Sequence, residues 1–134
     1  MKVTVTSDAQ KPQAVAYLRV ASPGQADQRR SIDAQQAACC REAQRLGVVL
    51  VAEFLDLGVS GNAARRRGLR QLLAYVTNHP VAYVIVSDRA RLARSRAADG
   101  FIRGRLQQTG VSVAAATDND PNKHSRRIDN YLFT

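Results

Sequence analysis

Four short apolar runs, separated by segments of helical spacing, constrain this chain more than any other feature. They are Ala14–Val20, Val48–Leu55, Val81–Val86 and Val111–Ala116. Ser22-Pro23-Gly24 closes the first, Gly58 follows the second and Pro80 precedes the third, so they read as buried strands bounded by turns. Between the first two, residues 31–46 read as a helix with Ser31 as its N-cap, Ile32, Cys39, Ala43 and Leu46 at helical spacing, and Gly47 as the stop. A second helix is expected from Gly68 to about Asn78, and a third from Arg91 to Gln108 despite Gly100 and Gly104. Strands alternating with helices make βαβ units, hence an α/β domain: a mostly parallel sheet of about four or five strands, covered by helices on both faces.

At 134 residues there is room for one such domain. Residues 1–12 are polar and without a firm period, a lead-in to a domain expected over 13–134. No window of about 18 apolar residues suggests a membrane span, and the first residues lack the apolar stretch of a secretory signal, so a cytoplasmic protein is expected. Cys39 and Cys40 are sequence neighbours without zinc-ligand spacing and read as packing or surface residues. His79 and His124 fall in or beside turn-like sequence, and neither is given a role.

Charge points to a partner. Twenty basic against 11 acidic side chains give a net charge of +9, and every basic residue except Lys2, Lys11 and Lys123 is arginine. Arginine presents a planar fork of donors that fits phosphate bidentately, whereas lysine would serve solubility equally well. A polyanion is therefore expected. The arginines cluster as Arg65-Arg66-Arg67, as Arg89, Arg91, Arg94 and Arg96, and as Arg126-Arg127. In parallel sheets ligands bind beyond the carboxyl ends of the strands. Polar segments collect at those ends: 19–25 after the first strand, 56–66 after the second and 87–94 after the third.

Arg19 interrupts an apolar strand and shares a face with Tyr17. A buried arginine needs a partner. Either it serves an anion site or it forms a structural ion pair with Asp56 or Asp88. Tyr17 and Tyr83 read as core. Arg103 and Arg105 read as the wet face of a helix or, alternatively, as a contact with a partner.

Cutting a phosphodiester without metal requires a nucleophile, positive charge on the non-bridging oxygens and an acid for the leaving oxygen. Arg19, Arg66, Arg91 and Arg94 would supply the charge from three loops. Asp56, Asp88, Asp118 and Asp120 follow no recognised metal-ligand spacing, and neither Ser-Pro-Gly nor Ser-Gly-Asn resembles a nucleotide phosphate loop. No metal or cofactor is expected.

Read in order, Tyr17-Leu18-Arg19-Val20, Gln25, Ser31-Ile32-Asp33-Ala34-Gln35, Asp56-Leu57-Gly58-Val59-Ser60-Gly61, Arg66-Arg67-Gly68-Leu69 and Arg91-Leu92-Ala93-Arg94 resemble the signatures of the resolvase and invertase superfamily of serine recombinases. The Asp-x-Gly-Val-Ser-Gly form is most similar to large serine integrases of phages and mobile elements. The resemblance spans roughly residues 14–116. It implies a flavodoxin-like, three-layer catalytic domain of bacterial or phage origin. In that family a serine attacks DNA, is joined covalently to the 5′ phosphate and frees a 3′ hydroxyl, and strand exchange in a tetramer precedes religation. By the same resemblance Arg19, Arg66, Arg91 and Arg94 bind and activate the scissile phosphate. Gln35 and Ser60 support them, and Asp56 orients an arginine or the loop. The arginine clusters themselves make Arg65, Arg67 and Arg89 candidate DNA contacts, while Arg126 and Arg127 either lead the chain toward DNA or merely end it. The family's long assembly helix and its DNA-reading portion are expected to be incomplete or absent in this chain, with dimer or tetramer formation belonging to the full-length context.

Two positions depart from the pattern. Where the family reads Tyr-x-Arg-Val-Ser, the fifth residue here is Ala21, so the nucleophile position has no hydroxyl. Ser22 is one residue late and, by strand alternation, points away from Arg19 unless the turn at Pro23 swings it back. Ala90 stands where the family has an aspartate before the first arginine of Arg91-x-x-Arg94, and Asp88 could substitute only through a rearranged loop. The expectation is a recombination domain inactive as written. The alternative is a non-catalytic homologue that binds DNA or joins subunits. An unrelated flavodoxin-like receiver or nucleotide-binding domain is disfavoured, since the chain has neither an acidic pocket nor a glycine-rich first turn.

Overall fold

The computed structural model describes residues 11–20, 24–57, 66–92 and 96–119, with the backbone alone described for 96–99 and 118–119. Four strands are present among them: β1 (Gln13–Val20), β2 (Val49–Leu57), β3 (Tyr83–Val86) and β4 (Ser112–Ala115). They form one sheet in the order β2-β1-β3-β4, with every pairing parallel. The helices are α1 (Gln25–Leu46), α2 (Arg67–Asn78), the single turn α3 (Arg89–Leu92) and α4 (Arg96–Gln108), and a 3-10 turn over Ala116–Asn119 packs against α1.

Because side chains alternate across a strand, β1 supplies both faces of the sheet. Ala14, Ala16 and Leu18 pack with Cys39 and Ala43 of α1 and with Ile85. Val15 and Tyr17 pack on the other face with Leu69, Leu72 and Val76 of α2, Leu92 of α3, and Ile102 and Leu106 of α4. The result is a three-layer α/β domain in which β1 is buried on both sides, in keeping with its apolar run Ala14–Leu18. Cys39 belongs to this core. Its thiol donates to the Ile85 carbonyl oxygen at 3.6 Å, and burial pushes its pKa up to about 12, which makes it an inert packing group rather than a nucleophile. Cys40 is exposed.

Three expected boundaries need correction. The first helix begins at Gln25 after Gly24, not at Ser31. Gln25 to Arg30 carry no apolar period but are rich in good helix formers. Ser31 therefore lies inside α1, where its Oγ accepts from Gln35 Nε2 at 2.9 Å. The second strand runs on through Asp56 and Leu57, which takes Asp56 out of the expected loop. The third helical segment begins at Arg89 rather than Arg91; its described parts are α3 and α4, and residues 93–95 lie outside the described residues.

A register shift between Ala14 and Val15 determines which way Asp56 faces. Ala14 pairs with Leu50 but Val15 pairs with Ala52, so one extra residue enters β2. Beyond it Tyr17 pairs with Phe54 and Arg19 with Asp56. Asp56 thus shares the α2 face with Tyr17 and Arg19.

Gly68, in the first turn of α2, is packed directly on β2. A Cβ there would lie 2.7 Å from the Leu55 carbonyl oxygen and 3.0 Å from Asp56 Oδ1. The first is backbone inside a strand and cannot yield cheaply. Gly68→Ala is expected to destabilise the domain by about 2 kcal/mol, read by urea unfolding. An unchanged midpoint would mean that α2 does not rest on β2 as described.

Candidate active site

The sheet order places β2 and β3 on opposite sides of β1, so the chain reverses direction across the sheet at β1. At such a point the loops beyond the strand ends part and leave a crevice. Arg19 stands there because it is the penultimate residue of β1, and it is only 4% exposed. Its guanidinium donates from Nε to the Arg91 carbonyl oxygen at 3.2 Å and from Nη2 to the Ala90 carbonyl oxygen at 2.7 Å. Arg91 answers by donating from Nη1 to the Arg19 carbonyl oxygen at 3.2 Å, while its Nε donates to Asp88 Oδ2 at 3.2 Å.

Arg66, immediately before α2, is fully buried. Its Nη2 donates to the same Arg91 carbonyl oxygen at 2.7 Å, and its Nε donates to the Tyr17 hydroxyl at 3.0 Å. Side chains from the end of β1 and the start of α2 therefore converge on one carbonyl of α3. Gathering guanidiniums so closely concentrates like charge, which an anion stabilises. They also have the donor geometry that suits phosphate oxygens.

Two polar residues set the backbone around these arginines. The β1–β3 ladder ends at Ala16 and Ile85, so Arg19 lies beyond the last paired residue of β3. Gln35 from α1 meets it there: Oε1 accepts from the Arg19 amide at 3.2 Å, and Nε2 donates to the Arg19 carbonyl oxygen at 3.2 Å. One amide side chain acts as a short length of missing strand. Asp56 holds the start of α2. Its Oδ1 accepts from the Gly68 amide at 2.7 Å, and its Oδ2 accepts from the Leu69 amide at 3.1 Å and from the Tyr17 hydroxyl at 2.7 Å. Burial first, then the bond to Asp56, raise the Tyr17 pKa well above its ordinary value, with Arg66 opposing them. The hydroxyl keeps its proton.

Of the residues singled out in the sequence, Arg19, Gln35, Asp56, Arg66, Asp88 and Arg91 come together at this edge. Arg67 is exposed on the first turn of α2, and Arg89 is half-buried on α3. Ala21, Ser22, Ser60, Arg65, Arg94, Arg126 and Arg127 lie outside the described residues. Tyr17 is in the core as expected, but its hydroxyl also links Asp56 to Arg66, a role the strand period alone does not distinguish from packing. Its position two residues before Arg19, on the same face, is the one sequence signal that could have suggested it. The carbonyls of Ala90 and Arg91 carry no side-chain signal at all. Among the described residues no group of three or more His, Cys, Asp or Glu is arranged to hold a metal ion, and no helix is long and apolar enough to cross a membrane.

Comparison with known proteins bears on this arrangement. The family model described as the resolvase N-terminal domain matches residues 14–134. Among solved structures, the C-terminal catalytic domain of ISC1926 TnpA, an IS607-like serine recombinase, is similar at 27% identity and TM-score 0.67, covering 77% of this chain and 68% of that one. The N-terminal catalytic domain of TP901-1 integrase superposes with TM-score 0.70 at 23% identity, covering 79% of each chain. A resolvase-family site-specific recombinase from Streptococcus pneumoniae gives TM-score 0.69 at 21% identity, covering 91% of this chain and 85% of that one. The last two likenesses speak to fold alone. No curated protein matches.

Proposed function

From membership of the resolvase N-terminal domain family of serine recombinases, to which this chain belongs, we propose that it is a DNA strand-exchange domain whose arginine pocket receives a backbone phosphate, and that as written it binds without cutting. The observation that carries the reading is the convergence of Arg19 and Arg66 on the Arg91 carbonyl oxygen at the carboxyl edge of the sheet. A phosphodiester oxygen is an acceptor like that carbonyl but carries full charge, so it would take over donors now satisfied by α3. Arg91 would join them, with Gln35 holding the Arg19 backbone and Asp56 the start of α2. Arg94 and Ser60 complete the proposed set.

In the catalytic form of such a site a serine oxygen at position 21 attacks phosphorus. The O–P bond to the 3′ oxygen breaks, the serine loses its proton, and the 3′ oxygen leaves as a hydroxyl. The 5′ phosphate remains on the serine until religation. Ala21 offers no oxygen to attack with, so the arginines retain only their electrostatic role. Because the residue before Arg91 is Ala90, the proton for the 3′ oxygen would have to come from elsewhere, and Asp88 is already engaged with Arg91. Ala21 equally favours a second reading, a non-catalytic homologue that binds DNA or joins recombinase subunits. Dimer and tetramer assembly is assigned to the full-length context.

Fluorescence anisotropy with a labelled duplex over a range of salt tests the pocket. Binding should weaken linearly in log salt with a slope of about −3, as expected when about three phosphates are neutralised. Arg91→Ala should reduce the steepness by about 1 and lower affinity to all sequences alike. Binding indifferent to salt, or a slope unmoved by this change, contradicts the reading.

A further inference from the structure

Tyr17 is one of the largest fully buried side chains in the domain. Packing accounts for its ring but not for its hydroxyl, since phenylalanine would fill the same place among Leu69, Leu72 and Val84. The hydroxyl has one proton. It must go to Asp56 Oδ2, 2.7 Å away, because an ionised carboxylate can only accept. The oxygen's lone pairs are then left to face Arg66, whose Nε–H donates to it at 3.0 Å. The direction of both bonds is fixed by chemistry: the Arg66 Nε–H can only donate, so the hydroxyl accepts from it and gives its own proton to Asp56.

The consequence lies in the shape of the guanidinium. It is a rigid plane, so holding Nε fixes where both Nη groups point. Arg66 Cζ lies 5.2 Å from the Tyr17 ring centroid, a second contact with the same residue. With Nε held, Nη2 is aimed at the Arg91 carbonyl oxygen 2.7 Å away, the point on which Arg19 also converges. Asp56 in turn is held by the Gly68 and Leu69 amides, so the chain of bonds runs from the start of α2 through β2 and β1 back to the residue just before α2.

We propose that Tyr17 is a positioning residue: its hydroxyl, oriented by Asp56, aims the Arg66 guanidinium into the phosphate pocket. This rests on the reading that the pocket takes a DNA phosphate, and the two can fail separately.

The first arm of the test needs no catalysis. In proton–nitrogen NMR of the arginine side chains of this chain, the Arg66 Nε–H exchanges with water at least about tenfold more slowly than that of exposed Arg67, as a buried bonded donor must. In Tyr17→Phe the Arg66 signal loses that protection while Arg19 Nε–H, bonded to the Arg91 carbonyl oxygen, keeps it. The second arm uses the Ala21→Ser chain in single-turnover cleavage of a duplex. Adding Tyr17→Phe slows formation of the protein–DNA adduct by about tenfold or more, with DNA affinity within about twofold. An unprotected Arg66 Nε–H in the unaltered chain overturns the proposal, as does protection that survives Tyr17→Phe. A double variant that cleaves at the rate of Ala21→Ser also overturns it. If the NMR results hold but Ala21→Ser never cleaves, the recombinase reading falls and Tyr17's hold on Arg66 stands.

Discussion

Asp56→Ala should cost the domain about 3–5 kcal/mol, the largest stability loss expected from any single change at the site. The carboxylate is only 5% exposed and accepts three hydrogen bonds, from the amides of Gly68 and Leu69 and from the Tyr17 hydroxyl. Alanine leaves all three donors buried beneath α2, and each orphaned donor costs about 1–3 kcal/mol, the two amides being helix-start groups that nothing else in the turn can satisfy. The melting temperature should fall by about 10 °C or more. Asp88→Ala is the matched control. Its carboxylate is about a third exposed and engages Arg91 in an i,i+3 pair, so the loss there should stay under about 1 kcal/mol. Equal losses at the two positions would mean that Asp56 does not hold the start of α2.

Much of this was legible beforehand, for identifiable reasons. The four strands were visible because strands packed beneath helices demand short apolar runs, and Ala14–Leu18 is one that runs unbroken. Arg19 could be placed on the Tyr17 face because strand alternation admits no other arrangement. The gathering of Arg19, Arg66 and Arg91 followed from βα order alone, since every strand of a parallel sheet ends at the same edge.

What escaped notice has equally physical causes. The first turns of α1 are exposed and carry no apolar period, so their helicity rests on intrinsic preference, which a pattern search does not register. Asp56 resembled a loop residue because Gly58 follows closely. It lies in β2 because pairing with β1 continues through Leu57, and the extra residue opposite Ala14 and Val15 turns it to the Tyr17 face; no local composition announces that shift. The destination of Arg19 was open between an anion site and a carboxylate partner. Its bonds to the Ala90 and Arg91 carbonyl oxygens are backbone contacts, which a reading of side chains cannot foresee. The Tyr17 hydroxyl was hidden for a related reason, because a tyrosine on the core face of a strand shows the same period whether or not its oxygen is used.

The largest functional effect is expected at Ala21. The residue follows directly on Val20, the last of β1, and two residues after Arg19, whose amide and carbonyl are both held by Gln35. Position 21 lies outside the described residues; on the proposed reading, a hydroxyl there would supply the nucleophile that the arginine pocket otherwise lacks. Removing or supplying the nucleophile of such a site changes rates by several orders of magnitude, because no other group can form the covalent bond.

The decisive measurement is a cleavage assay on supercoiled DNA carrying the element's own attachment sites, comparing this chain with Ala21→Ser in full-length context and scoring protein joined covalently to 5′ ends. The account predicts the adduct with Ala21→Ser alone, abolished again when Arg66 is also replaced by alanine. An adduct formed by the alanine chain would contradict the placement of the nucleophile at position 21, and no adduct from either would contradict the strand-exchange reading in favour of a module that only binds.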